Sequence, residues 1–290
     1  MTVINTNTAA NITANALTKN ERAMSQAMER LSTGQRINNA GDDAAGLAIA
    51  SKMTSQINGL NMAVRNANDA ISLVQTADGA LIEVNNMLQR MRELAVQAAS
   101  GTMTSADKTA LDTEYDQLKL AIQDINEDTQ WNGTALLSGG TTFTFHVGAN
   151  ASQTVQVVMG DFDVDEASAT SGVFEALADS ATNNDNSGDD LNTSDIASAA
   201  NTAIGYLDMA ISRVDSHRAT LGATINRLEY AADNLANVSQ NTSASRSRVL
   251  DADYASETTE LARTQIIQQA ATAMLSQANQ QAQSVLALLR

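Results

Sequence analysis

No proline occurs anywhere in the 290 residues, where average usage of about 5% would supply about 14. Proline removes a helix hydrogen bond and its ring clashes with the preceding turn, so its absence suits long uninterrupted helices. Composition says what kind. Hydrophobic residues make up 43% of the chain, but 50 residues are alanine and the aromatics number only 1 Trp, 4 Tyr and 4 Phe. Such small side chains do not fill a thick core. They suit slender, closely packed helices, for which alanine is also the best helix former. The expected fold class is mainly α: long antiparallel helices in coiled-coil or bundle domains, with a small β-hairpin and a short irregular central insertion.

The 17 basic residues against 33 acidic ones leave a net charge of −16, which argues against nucleic acid or an anionic membrane surface as main partner. The deficit is localised. Asp161 to Asp195 holds ten acids and no base, and no Lys or Arg lies between Lys119 and Arg213, a pattern that reads as a solvated surface. Without cysteine the chain has no disulfide framework, thiol nucleophile or Cys-based metal site. No apolar run approaches the roughly 18 residues that span a bilayer. Met1 to Leu17 lacks the basic start and apolar stretch of a secretory signal peptide, which taken alone points to the cytoplasm.

Apolar residues at alternating three and four spacings carry most of the information. A first seam runs Val3, Asn7, Ala10, Ala14, Leu17, Glu21, Met24, Met28, Leu31, and stops at Thr33-Gly34. After the turn formers of 38–46, Asp42 or Asp43 caps a new helix near Ala44. Ile57, Leu60, Val64, Ala67, Ile71, Val74, Ala77, Leu81, Val84, Leu88, Met91, Ala95 and Ala98 predict a helix with a C-cap at Ser100-Gly101. Thr104 and Asp107 form a capping box for the next one, whose stripe is Leu111, Tyr115, Leu118, Ile122, Ile125.

The period then changes. Residues 141–147 and 154–158 have strand composition around a turn-like Gly148-Ala149-Asn150, a β-hairpin. The stretch 161–193 is expected to be an exposed, poorly ordered excursion. Ile196, Ala200, Ala203, Leu207, Ala210, Val214, His217, Leu221, Thr224, Leu228, Ala231, Leu235 and Val238 predict a helix over about 194–239, about 69 Å long. The last ladder runs Leu250, Tyr254, Glu257, Leu261, Thr264, Gln268, Ala271, Leu275, Ala278, Ala282, Val285, Leu289. Both ends of the chain thus carry amphipathic seams too thin to fold alone. Self-association is the economical way to cover them, and a contact that does not close into a ring builds a helical filament.

Several stretches resemble the signatures of bacterial flagellin: Gln35 to Ala50 (QRINNAGDDAAGLAIA), Leu88 to Ala98 (LQRMRELAVQA), Thr129 to Gly133 (TQWNG, usually with Phe at position 131) and Ala262 to Ala270 (ARTQIIQQA). The resemblance covers about 1–160 and 195–290. It implies a subunit that polymerises into the flagellar filament used for motility. Residues 1–42 and 246–290 would be the two halves of an inner-tube coiled coil. Residues 43–160 and 194–245 would form an outer-tube helical domain with the hairpin, and 161–193 a short variable surface segment.

The resemblance further implies termini that order on assembly, and export of the unfolded chain through the flagellar type III channel to the extracellular filament without a cleavable signal peptide. This replaces the cytoplasmic reading. It gives the missing cysteines a rationale, since thiols could crosslink in transit. Implied partners are further copies of the chain, an export chaperone at the C-terminus, and the filament cap and hook-filament junction proteins. No nucleic acid, membrane or cofactor is implied. In some family members a vertebrate Toll-like receptor recognises the outer-tube domain; the matching positions are Gln89, Arg90, Leu94, Gln97 and Glu114. The polymerisation seams are assigned to Leu17, Met24, Met28, Leu31, Leu261, Leu275, Val285 and Leu289.

Other chemistry finds little support. His146 and His217 fall on different elements without further ligands at metal or triad spacing. Asp161, Asp163 and Asp165 open like a calcium loop, but Glu166 stands where glycine is required and Gly172 where the final glutamate belongs. No GxGxxG, P-loop, GxSxG or HExxH occurs, so no enzyme is expected. Serines and threonines in 168–194 are possible glycan acceptors. The rival readings are a hook-filament junction protein of the same architecture and a coiled-coil signalling or adaptor protein, which would need neither the hairpin nor ladders reaching both chain ends.

Overall fold

A computed structural model describes residues 7–138, 140–162 and 196–288. The described chain runs through α1 (Thr8–Thr33), α2 (Ala44–Ala98), α3 (Ser105–Asp128), β1 (Gln130–Trp131), β2 (Thr134–Ala135), β3 (Thr142–His146), β4 (Thr154–Val158), α4 (Ile196–Leu250) and α5 (Tyr254–Leu288). It divides into two compact units, one of 1–57 with 239–290 and one of 58–238. The excursion expected over 161–193 lies outside the described residues, apart from Asp161 and Phe162.

The helix boundaries have local causes. The Asn7 side chain accepts from the Ala10 N–H at 3.0 Å and starts α1. Gly34, at φ 70°, ends it by donating to the Arg30 carbonyl at 2.9 Å, the left-handed cap glycine adopts without Cβ strain. The adjacent aspartates divide the next task. Asp42 accepts from the Asn38 and Asn39 N–H groups at 3.1 and 3.0 Å, folding the loop. Asp43 accepts from Gly46 N–H at 2.9 Å and caps α2. A Cβ on Gly46 would come within 2.7 Å of the Ile37 side chain, so glycine there admits the close approach.

Helix α2 runs 55 residues without a break, absorbing both the start near Ala44 and the ladder from Ile57. Its far end departs from expectation. Gly101 is not among the described residues with positive φ, and the helix closes instead through the Ser100 N–H on the Gln97 carbonyl at 3.1 Å. The Thr104/Asp107 capping box of α3 is present in both directions. After α3, Asn132 (φ 50°) and Gly133 (φ 78°) form the two-residue turn that joins β1 to β2, the conformation Asn-Gly favours. Strands β3 and β4 pair antiparallel, Thr142 opposite Val158 and His146 opposite Thr154; the positive φ in their connection falls on Ser152 at 68°, not on Gly148.

In the unit of 58–238, α2, α3 and α4 share one core. Ala67, Val74, Ala77, Leu81, Leu88, Ala95, Ala98, Ala200, Leu207, Val214 and Leu228 are all fully buried. Each buried leucine removed from water is worth about 2 kcal/mol. The expected ladder of α4 holds as far as Leu228 but loses burial beyond it, where Leu235 is half-buried and Val238 exposed. Along one edge, α2 residues seven apart bridge to α4: Asp78 to Arg218 (2.8 Å), Asn85 to Asp215 (2.7 Å) and Arg92 to Asp208 (2.6 Å). The strap 159–162 is pinned by the Met159 N–H on Thr141 O (2.9 Å) and the Phe162 N–H on Leu137 O (3.0 Å).

The helix expected to end near 239 continues to Leu250, through a polar stretch that carries no apolar ladder. Leu250 therefore closes α4 rather than opening the last ladder. The break that follows is paired with the α1–α2 loop by backbone hydrogen bonds: Arg36 N–H to Leu250 O at 2.7 Å and Ala252 N–H to Gly34 O at 2.9 Å, with Gln35 bridging Asp251 antiparallel. Arg36 Nη2 adds a bond to Val249 O at 2.8 Å.

Candidate assembly and recognition surfaces

From this clamp α1 and α5 run antiparallel. Tyr254 Oη donates to Leu31 O (3.1 Å), Arg30 pairs with Glu257 (3.0 Å), Asn20 Nδ2 donates to Thr264 O (2.7 Å) and Asn7 Nδ2 to Ala278 O (3.3 Å). Inward positions of α5 are those of its expected ladder: Glu257, Leu261, Gln268, Ala271, Leu275 and Ala278 are half-buried and Thr264 buried. Val285 falls within α5, though its side chain, like all of Leu289, lies outside the described residues.

Helix α1 corrects its expected seam at every second position. Its inward face reads Ala10, Thr13, Leu17, Asn20, Met24, Ala27, Leu31, while Ala14, Glu21 and Met28 are exposed. Both series alternate three and four spacings. The expected one extends the spacing through the polar Asn7 and Glu21 and takes Met28 over Ala27; the fold places Asn20 and Ala27 inside, where the shorter side chains let the helices approach, with the Asn20 amide satisfied by Thr264 O. Leu17, Met24 and Leu31 belong to both series and face inward. Met28, 53% exposed, faces away from α5 with Ile12 (70%), as Ile266 (66%) and Met274 (64%) face away from α1.

On α2 and α3 the five recognition positions divide. Gln89, Arg90, Gln97 and Glu114 are exposed. Leu94 is not: it is 0% exposed, within the core formed with Met91, Ala95 and Tyr115. Its spacing of three from Met91 and four from Ala98 is the signal that marks it as core. Arg90 is held in place, with Nε and Nη2 both on Glu114 Oε1 (2.9 and 2.8 Å) and Nη1 on Glu93 Oε2 (3.0 Å). These bonds, Glu114 foremost, raise its pKa above the usual guanidinium value. Gln89 Nε2 donates to Asn85 Oδ1 at 3.2 Å, and Asn85 in turn to Asp215. The exposed side chains thus sit on a hydrogen-bonded scaffold.

Among the described residues no group of His, Asp and Glu is arranged to hold a metal, and no helix is long and apolar enough to cross a membrane. Of the calcium-like aspartates, Asp163 and Asp165 lie outside the described residues. His146 and His217 stand on β3 and α4.

Paired terminal helices that leave Ile12, Met28, Ile266 and Met274 on their outer faces are the mark of a chain that associates with other chains. Residues 4–142 match the bacterial flagellin N-terminal helical region and residues 204–289 the bacterial flagellin C-terminal helical region. The chain is 45% identical to a flagellin of Halalkalibacterium halodurans over 267 residues, covering 91% of both chains. It is 44% identical to a flagellin of Bacillus subtilis, covering 99% of both, and 39% identical to a flagellar filament 33 kDa core protein of Treponema phagedenis, covering 99% of this chain and 100% of that one. The chain belongs to the bacterial flagellin family. It is a subunit of the extracellular flagellar filament, self-polymerising and not an enzyme.

Proposed function

We propose that the terminal pair α1/α5 is the principal polymerisation element, and that neighbouring copies cover its outer faces. The observation that carries this is the exposure of Ile12, Met28, Ile266 and Met274 on helices whose mutual seam is only half-buried. Apolar surface left on both sides of a thin helix pair is removed from water by lateral copies. Leu17, Met24, Leu31, Leu261 and Leu275 serve the seam within one chain, and Met28 the contact between chains. Seeding purified chain with filament fragments and following growth by negative-stain microscopy tests this. The intact chain should extend the seeds, while Met28→Asp with Ile266→Asp should not, its helicity below the assembly threshold staying unchanged. Growth by that variant at the normal rate would overturn the assignment.

Export proceeds with the chain unfolded, a chaperone covering the C-terminal seam until release, and the cap and hook-filament junction proteins meet the same terminal surfaces at the two filament ends. A second reading rests on the fixed geometry of Arg90. Gln89, Arg90, Gln97 and Glu114 form a surface for a vertebrate Toll-like receptor, and Leu94 acts beneath it by supporting α2. In a reporter-cell assay Arg90→Ala should lower the response with the melting temperature unchanged, whereas Leu94→Ala should lower both. An equal response from all three chains would sink the recognition reading.

A further inference from the structure

His217 makes the contact that the flagellin architecture does not explain. It projects from α4 toward the strap 159–162, where the Gly160 N–H donates to its Nε2 at 3.1 Å. Nε2 is therefore the unprotonated nitrogen and the proton of the neutral ring sits on Nδ1. Phe162, fully buried, packs edge-to-face with the imidazole at 5.2 Å between centroids and 71° between planes. Glycine at 160 belongs to the arrangement, since a Cβ there would lie 2.7 Å from the Phe162 ring and 3.4 Å from the imidazole.

We infer that His217 is a pH-sensitive latch on this strap: the neutral ring holds Gly160, and protonation places a second donor against the Gly160 N–H and releases it. Burial is the cause that lowers the imidazole pKa below its ordinary value, as expected where a half-buried ring packed on phenylalanine is poorly hydrated when charged. The charged groups on the surrounding elements are Asp161 on the strap, Arg213, Asp215 and Arg218 on α4, and Asp78 on α2. Arg218 is paired with Asp78, and Asp215 accepts from Asn85. Because the folded pKa is depressed, the latch contributes fully above the ordinary histidine value, and its contribution is lost as pH falls through the range below it. The strap stands at the root of residues 163–195, so acid loosens the chain where the hairpin gives way to that segment.

The test is amide hydrogen exchange on the unassembled full chain at pH 7.5 and pH 5, each rate corrected for its intrinsic value, together with an NMR titration of the His217 ring. Protection of Gly160 should fall several-fold on acidification in the native chain and not in His217→Gln, whose amide oxygen replaces Nε2 as a permanent acceptor. The imidazole should titrate below ordinary histidine. Unchanged protection of Gly160 in the native chain, the same fall in His217→Gln, or a His217 titration at or above the ordinary value would each overturn the latch. The titration is read on the native chain, so a poorly folding variant does not spare the proposal.

Discussion

The two helical units solve the same packing problem with opposite outcomes. In the unit of 58–238 the seam between α2, α3 and α4 is dry: Val74, Leu81, Leu88, Leu207 and Val214 expose nothing. In the terminal unit the most buried side chains of the α1/α5 pair are Ala27, Asn20 and Thr264, while Leu17, Met24, Leu31, Leu261 and Leu275 stay half-exposed. A two-helix seam has no third layer to close it, so adding apolar residues to it does not complete it. One unit closes its core within the chain, and the other leaves its seam half-exposed, which is the surface we propose that neighbouring copies cover.

Cutting one leucine from each unit should give the largest difference between them. Leu88→Ala leaves a cavity in a closed core and should cost about 2–5 kcal/mol, read as a fall in the melting temperature of the unassembled chain. Leu261→Ala should leave that melting temperature unchanged and instead slow seeded filament growth. Equal destabilisation of the unassembled chain by both would mean that the terminal unit is as self-sufficient as the other. A smaller effect is expected from Asn20→Leu with Thr264→Val, which turns the polar centre of the α1/α5 seam apolar. Because the seam has no third layer, circular dichroism below the assembly threshold should show little added helix in the variant; a large gain would mean that polarity, rather than openness, keeps the pair weak.

The contrast also explains what the sequence reveals. Where a helix is enclosed its ladder is mostly legible: on α4 it holds down to Leu228, and on α2 it holds except at Val64 and Ile71, which are half-buried while Ala63 and Ala70 take the core positions. Where a helix is half-covered, apolar residues occur on both faces, Ile12 and Met28 standing outside on α1, and pattern alone chooses Met28 over Ala27. Leu94 is misplaced for the opposite reason: a motif marks it as a recognition residue, while its spacing from Met91 and Ala98 marks it as core. The Asn132-Gly133 turn is written in the sequence plainly enough, but strands of two residues carry no alternation to draw attention to it. The clamp of Gly34 and Arg36 on Leu250 and Ala252 is not legible, because it joins backbone groups more than 200 positions apart and its one side-chain bond, from Arg36 to Val249 O, also ends on a backbone carbonyl.

Next in size is the start of α3. Thr104→Ala removes a capping bond to the Asp107 N–H and should cost about 1 kcal/mol, measured by chemical denaturation. The pH dependence has a definite sign. The Thr104 hydroxyl first, then its N–H, lowers the Asp107 pKa. This contribution is therefore present above the ordinary carboxylate value and lost as pH falls below it. Asp107→Asn should flatten the acid limb of the stability profile while leaving the neutral region lower throughout.

The smallest effect concerns the edge where α2 meets α4. Asp78 and Arg218 are 2.8 Å apart with each side chain 31% exposed, so solvent screens the pair and ordering two long side chains offsets part of the attraction. A double-mutant cycle with Asp78→Ala and Arg218→Ala should give a coupling of about 0.2–1 kcal/mol that shrinks with added salt. What the three bridges supply beyond that small energy is alignment. At residues 78, 85 and 92 the α2 partner changes from acid to amide to base, and α4 answers with Arg218, Asp215 and Asp208. A slide of one turn therefore leaves some charges unmatched, whereas an alanine-rich apolar seam tolerates it. Exchanging the two charges, as Asp78→Arg with Arg218→Asp, should restore most of the coupling. A coupling several times larger and insensitive to salt would show that the closed unit depends on its polar edge as much as on its dry core.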